Sequence, residues 1–512
     1  MILQHISSAF FALLVSVFLL AFPLEGYAAI EDFKYNLFLL LCGGYCAVIL
    51  IKRTQLAITG IQPFGKIPDS IKTVPTSMKL LFLFLAFTIL SAVLSGYEGT
   101  FRGAFRREGA LSIAIYILSC FFLSQYLRPK KWMLFALGSS TLLFCALSLI
   151  QMTGANPFML FPEGHNFYGA GVYFPGEFLG TLGNTGLVGA FLSIVAGVFS
   201  MAIIKCEFRK GWHIAALAAP LTLVMILIFE MDIEAALLAL ISGLVLMLPV
   251  AVTNQASLSR TLFVAAVVIS AFSVSQAIVF GDRTTAFAPA ELTSLIVAGF
   301  VALLAIAVPK IKAFEKIPMK LYRLGSAVVV FAAICFAVTY LWFFGSGHTG
   351  MIYEASEVLR GRWDDSFGST RVYIWRSILS GITQQGLLLG TGPDTLGFWS
   401  IEPFARYIPE FGVLLVAQID SAHNEYLQIL ATGGLLSLLS YLGALVLAAK
   451  SWLSHPSDKL SAIAGAGVLF YCIQAFFGIS MFIAAPFFWA CLAVLIHSQN
   501  SLSLKRSGAK CP

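Results

Sequence analysis

Charge is scarce in this sequence. Only 11% of its 512 residues are Asp, Glu, Lys or Arg, while 59% are hydrophobic, against about 25% charged in an ordinary soluble domain. No single aqueous core can absorb that much apolar surface, so a soluble globular fold is excluded and an all-α polytopic membrane protein is indicated. A disulfide framework is missing too. The nine cysteines (42, 46, 120, 145, 206, 335, 472, 491 and 511) fall in apolar runs or in segments assigned to the cytoplasm, and Cys42 with Cys46 at helical spacing reads as packing. There is no zinc-ligand spacing, P-loop or dinucleotide fingerprint, and no internal repeat of the kind many transporters carry. No cofactor is expected. The formal net charge of +7 is not gathered into a basic patch, so it gives no sign of nucleic acid and is better explained by membrane topology.

Apolar runs of ~17 to 25 residues, the length needed to cross the hydrocarbon, are plentiful. Fourteen are expected to span: 6–24, 35–51, 80–97, 110–127, 132–151, 181–204, 212–229, 235–252, 261–280, 291–308, 325–344, 426–448, 461–479 and 482–497. The first is open to two readings. Ala28-Ala29 after an apolar run suggests a cleaved signal peptide, whereas the lack of Lys or Arg in Met1 to His5 favours a retained span. This divides the chain into an N-terminal transmembrane region (1–344), a long polar loop (345–425) and C-terminal transmembrane helices (426–512).

Orientation follows from the basic residues. Of 32 Lys and Arg, ten fall on one side of the predicted spans: Lys34, Arg102, Arg106, Arg107, Arg283, Arg360, Arg362, Arg371, Arg376 and Arg406. The remaining 22 lie on the other side, which should be cytoplasmic, in a multi-pass protein of the cytoplasmic membrane whose long loop faces outward. Nine of the ten outer cations are arginine. A planar guanidinium fork suits bidentate recognition of carboxylate or phosphate, so the bias points to an anionic substrate at the outer face.

The loop collects the polar chemistry. Arg371, Trp375, Ile378, Leu379 and Ile382 recur at helical spacing and predict a helix in the interface plane. Its Arg371 and Arg376 either snorkel to lipid phosphates or hold a lipid-linked diphosphate. Gly390, Gly392, Pro393 and Gly397 break that helix, as a turn or as a phosphate cradle. Asp420 or Ser421 is expected to cap the next span, which would place His423 in or near its first turn. There the helix dipole disfavours imidazolium and leaves a neutral ring able to act as a base; the alternative is a histidine that only caps or hydrogen-bonds.

Three features together resemble the O-antigen ligase and O-antigen polymerase family, GT-C-like membrane glycosyltransferases of bacterial envelopes. They are Arg371 to Trp375, the Gly-x-Gly-Pro turn and, above all, the run Asp420-Ser421-Ala422-His423-Asn424-Glu425-Tyr426-Leu427-Gln428 followed by Gly433-Gly434. Arg107-Glu108-Gly109 and Gly180-Thr181-Leu182-Gly183-Asn184 extend the likeness, whose ligase-like part covers about 225–445. The resemblance implies a metal-independent transferase. Its donor would be a glycan on a polyprenyl diphosphate such as undecaprenyl diphosphate, and its acceptor the hydroxyl of a glycan, lipid or protein. By position, His423 matches the proposed base and Arg371 the diphosphate-binding arginine. Arg376 is placed with the diphosphate too, and Arg362, Arg406, Asn424 and Glu425 are candidates for support.

The chain departs from the family pattern in two places. Glu234 stands where members commonly carry another phosphate-binding arginine: either another residue, such as Arg283 or Arg106, supplies the missing charge, or the donor geometry differs, or this copy is weakly active. Leu387 stands where a proline often precedes the glycine turn. Glu230, Asp232 and Glu234 form an acidic trio that reads either as a solvated turn or as a divalent-cation site. The rival to an enzyme is a transporter or flippase of lipid-linked oligosaccharide, which should leave ionisable groups in the middle of several spans. A shape-determining peptidoglycan polymerase is a third reading, to which the His-Asn-Glu run is less suited.

Overall fold

A computed structural model describes residues 1–59, 74–169, 176–205, 211–277, 289–408 and 413–506. Among these residues nine helices are long and apolar enough to cross a membrane, and five shorter apolar helices take up the other predicted runs. In chain order the apolar helices are α1 (Ile2–Phe18), α2 (Gly26–Ile58), α3 (Thr76–Leu94), α4 (Ala110–Tyr126), α5 (Lys131–Met152), α6 (Thr185–Lys205), α7 (Gly211–Met231), α8 (Glu234–Leu246), α9 (Gln255–Ala277), α10 (Pro289–Ala307) and α11 (Met319–Phe344). The loop adds α12 (Met351–Leu359) and α13 (Arg371–Gln385), and α14 (Glu425–Ser454), α15 (Lys459–Gln474) and α16 (Ala485–Arg506) close the chain. The molecule is an all-α polytopic membrane protein with two small antiparallel ribbons. One pairs β1 (Phe178–Leu179) with β2 (Gly183–Asn184); the other pairs β3 (Phe404–Ile408) with β4 (Val413–Ala417).

The centre of the bundle is α6, buried along its length. Small residues let its neighbours approach closely, the usual device where lipid removes the hydrophobic drive between helices. A Cβ on Gly197 would lie 2.6 Å from the Ala466 carbonyl of α15, and one on Gly467 would lie 2.8 Å from the Val198 side chain. At the periphery, α11 presents Phe331, Phe336 and Phe343 outward, as a lipid-facing helix should. Helix α6 starts at Thr185, later than the predicted 181. Gly180 and Gly183 there adopt φ of +60° and +79° and make the β1–β2 turn, with Gly180 backed against Phe144 and Ser148.

The loop is not a loose excursion. Helix α13 buries Ile374, Ile378 and Ile382 against Leu396, Trp399, Ile419 and Ala422, a core separate from that of the spans. The predicted stripe is corrected in one respect: Leu379 is exposed, because the inward face runs through Ile374. Beyond α13 the chain plugs into α14, whose helical path breaks at Gly434 (φ +79°, ψ 175°). Leu435 N donates to Leu387 O at 2.9 Å and Gly392 N to Thr432 O at 2.8 Å, while Ser91 Oγ of α3 also donates to Thr432 O, at 3.0 Å. Two glycines make this backbone-to-backbone seat possible. A Cβ on Gly390 would stand 2.4 Å from Thr432 O, and one on Gly434 would stand 2.3 Å from Leu388 O. The Gly-x-Gly-Pro run is therefore a docking turn, with Gly390 against the Thr432 backbone and Gly392 against the Ser95 and Thr100 side chains.

Gly434→Ala should lower the stability of the purified protein by at least about 2 kcal/mol, combining a left-handed non-glycine with a backbone clash. Gly299→Ala in the middle of α10, where a Cβ meets nothing within 4 Å, should be neutral or slightly stabilising. Thermal melts of the two variants in one detergent check the contrast.

Candidate active site

The site forms where the segment before α14 meets the turn before α4. Asn424 caps α14: its backbone is extended and its Oδ1 accepts Leu427 N at 3.0 Å, the usual N-cap geometry. This corrects the expected cap at Asp420 or Ser421. Both are otherwise engaged, Asp420 Oδ1 by Arg106 Nη2 at 2.7 Å and Ser421 Oγ by His423 N at 3.2 Å. His423 accordingly sits just outside the helix instead of in its first turn, with φ of +47°, a conformation uncommon outside glycine and found where surroundings hold it in place. The holding contacts are Trp375 Nε1 to Ala422 O at 2.9 Å and Ala422 N to Gln428 Oε1 at 2.8 Å. Glu425 N also donates to Ala475 O at 2.9 Å.

Because Trp375 lies one turn after Arg371 on α13, the bond that fixes the histidine segment also fixes the arginine. Arg371 Nη1 donates to Gly368 O at 2.9 Å and lies 3.6 Å from Glu234 Oε2. Its Nε is buried with no hydrogen-bond partner. Burial lowers the basicity of Arg371, and Glu234 and Glu354 offset part of that; a guanidinium nevertheless stays charged.

A second guanidinium arrives from the turn before α4. Arg106 N and Phe105 N both donate to Asp394 Oδ2, at 2.7 and 3.0 Å, tying this turn to the docked loop. Gly392 and Gly397 allow the approach, the first against Ser95 and Thr100, the second under the Phe105 ring. Arg106 Nη2 holds Asp420, and its Nε, like that of Arg371, is buried without a partner. Burial raises the Asp394 carboxyl above its ordinary range, against the two backbone N–H bonds and Arg106. Glu108 is raised well above the carboxylate range by burial, although its Oε1 accepts Tyr116 OH at 2.7 Å and Phe482 N at 2.6 Å. A cleft of about 90 Å³ opens between Arg106, Glu108, Asp394, Ser421, Asn424 and Gln428.

His423 is pushed down to about 4, first by burial and then by the guanidiniums of Arg106 and Arg371, with Asp420 pulling the other way. The ring is neutral at pH 7, as the sequence suggested. Desolvation and two cations supply this shift.

The other candidates fall outside this cluster. Arg376 pairs with Asp365 at 2.8 Å and donates to Trp363 O at 3.2 Å, half exposed. Arg362 is exposed and pairs with Glu357 at 3.3 Å. Arg406 lies on β3, where its side chain is outside the described residues, as is Arg283. Asn424 serves as the cap, and Glu425 turns into the bundle to accept Tyr441 OH at 2.7 Å and Tyr471 OH at 2.8 Å. Of the acidic trio, Glu234 faces Arg371, and among the described residues no group of three or more His, Cys, Asp or Glu is placed to hold a metal ion. The residue most nearly missed is Arg106. From the sequence it is only one of two possible replacements for a missing charge, and its signal is its place beside Arg107-Glu108-Gly109.

Residues 245–442 match the family model described as O-Antigen ligase. The chain carries an O-antigen ligase region. That region holds Arg371, His423 and the Gly434 break, and it begins beyond Glu234, Arg106 and Glu108. The match places the protein among membrane enzymes of surface-polysaccharide biosynthesis. No curated protein matches the chain.

Carbethoxylation of His423, followed by peptide mass spectrometry, should give a pH profile with its midpoint near 4 instead of the ordinary ~6.5. Removing a neighbouring cation favours imidazolium, so Arg106→Gln should move the midpoint up. Asp420→Asn removes an anion and should move it down. A wild-type midpoint at the ordinary value would mean that the two guanidiniums do not act on the ring.

Proposed function

We propose that this protein transfers or polymerises a polyprenyl-diphosphate-linked glycan onto an acceptor hydroxyl at the outer face of the cytoplasmic membrane. The observation that carries this reading is the pair of guanidiniums, Arg106 and Arg371, each with a buried Nε–H that lacks a partner, whose charges both act on the neutral His423 ring. A buried donor without an acceptor costs about 1–3 kcal/mol, more for a charged group. An incoming anion removes that cost, and a diphosphate has oxygens enough for both.

The chemistry follows from these positions. His423 takes the proton of the acceptor hydroxyl as its oxygen attacks the anomeric carbon. The bond from that carbon to the diphosphate oxygen breaks, and the charge developing on the leaving diphosphate falls to Arg371 and Arg106. Fixed donors in a partly dry site stabilise such charge more than water can. The donor also prepares the base. The two cations depress the imidazole; a diphosphate held by them offsets their charge and raises its proton affinity as the acceptor arrives. The Glu234 contact to Arg371, at 3.6 Å, is longer than a strong charged hydrogen bond of 2.7–2.9 Å, so phosphate can take its place. The guanidiniums supply the positive charge of this scheme, which requires no metal.

In cells lacking the protein, extracellular glycan length and linkage should be restored by wild type. His423→Ala, Arg371→Ala and Arg106→Ala at matched membrane abundance should leave unextended lipid-linked units. Expected losses are roughly 10²–10⁴-fold for the base and roughly 10²–10³-fold for each arginine. Full restoration by His423→Ala would remove the base assignment and bring the flippase reading forward. Wild-type activity in Arg106→Ala would leave Arg371 as the single diphosphate ligand of the two.

A further inference from the structure

A second, mostly apolar cleft lies away from the proposed transfer site. Between α1, α5, α6, α15 and α16 runs a cleft of about 370 Å³ whose walls include Leu137, Val198, Ile463 and Val494. Its polar lining is Lys130, Lys131 and Lys459, all exposed. Lys131 and Lys459 are the first residues of α5 and α15, so the three ammonium groups gather at one mouth. The mouth is at the opposite end of the bundle from His423, because α15 ends at Gln474, beside the Ala475 carbonyl that receives Glu425 N. It also lies on the side where the sequence concentrates its basic residues.

Water does not suit such a cleft. At about 30 Å³ per molecule it would take about a dozen waters, each needing two to four polar partners, and beyond the lysine end the walls provide none. A hydrocarbon chain restores the missing dispersion contacts, and the lysine mouth calls for an anion at the end of that chain. We propose that this cleft is a binding site for an anionic glycerophospholipid of the inner leaflet, with an acyl chain between α5, α6, α15 and α16 and its phosphate on Lys130, Lys131 and Lys459. The site is independent of the transfer chemistry and faces the other leaflet.

The test uses the full chain in detergent, washed and then loaded with defined lipid. Native mass spectrometry counts retained lipid, and thermal melting is read in parallel. Phosphatidylglycerol should be retained and raise the melting temperature saturably, whereas phosphatidylcholine of the same chains should be retained far less. Lys130→Gln, Lys131→Gln and Lys459→Gln should each weaken retention roughly fivefold, without altering the elution profile of the protein. Ile463→Phe, which fills the cleft from α15, should abolish retention; the lysine variants test the site even where this one folds poorly. Equal retention of both lipids, or unchanged retention in the triple lysine variant, would overturn the proposal. So would complete displacement of phosphatidylglycerol by millimolar inorganic phosphate, which would make the site one for a free anion.

Discussion

In hydrocarbon a peptide group without a hydrogen-bond partner costs several kcal/mol, and the architecture of this protein turns on how one such debt is settled. The break of α14 at Gly434 removes helical partners from the groups around it. The 387–392 segment restores them, through Leu387 O, Leu388 O and Gly392 N. The same contact that lets a spanning helix break also anchors the long loop inside the bundle, and everything downstream of that anchor inherits its position. Asp394 is brought under the turn at Phe105 and Arg106, and Trp399 and Leu396 are set beneath α13. Arg371 and the Ala422 carbonyl, joined through Trp375, are held in one place.

That placement makes possible an arrangement of charges that would otherwise be costly. Two guanidiniums near a common centre repel each other, and burial penalises both. Acids compensate unequally. Asp420 grips Arg106 at 2.7 Å, while Glu234 stands off Arg371 at 3.6 Å. Each cation is paired enough to fold and retains one buried donor, its Nε–H, without a partner. The glutamate at 234, unexpected from the resemblance, is intelligible here. A third cation beside Arg371 would add repulsion, whereas the Glu234 carboxylate offsets the Arg371 charge, and Arg106 brings the second guanidinium from another turn.

The sequence disclosed those parts whose causes are local. Long apolar runs dictate spanning helices, and all fourteen predicted runs correspond to an apolar helix. The polar run ending in Asn424-Glu425 and the Arg371–Trp375 spacing drew attention to the loop in which Trp375 ties α13 to the histidine segment. What it did not disclose depends on partners far along the chain. Asp420 looks like a cap until Arg106, some 300 residues earlier in the chain, claims its carboxylate. Arg371 and Arg376 look equivalent, yet five residues on a helix with 3.6 per turn turn Arg376 away, toward Asp365 and Trp363. Leu379 fits an apolar stripe at helical spacing but is exposed, because the docked residues Leu396 and Trp399 select the face of Ile374 and Ile378 instead.

The ionisable groups within the spans bear on the choice between chemistry and transport. A transporter needs such groups to exchange partners as substrate passes, whereas Lys34, Glu425 and Lys205 here have fixed structural engagements. Lys34, fully buried, donates to Phe18 O at 2.5 Å and Leu19 O at 3.2 Å, satisfying carbonyls at the C-terminal end of α1, where a cation is favoured. Glu425 is clasped by the hydroxyls of Tyr441 and Tyr471 from two helices, and Lys205 bonds Thr253 at 3.0 Å. These contacts pin helices to one another. Guanidiniums with a buried donor that lacks a partner are, by contrast, confined among the described residues to Arg371 and Arg106, whose charges both act on His423. This pair of buried, unpartnered guanidinium donors thus sits at one end of the bundle, and among the described residues no second such pair leads through it, as a reaction at one face requires and passage across the membrane does not.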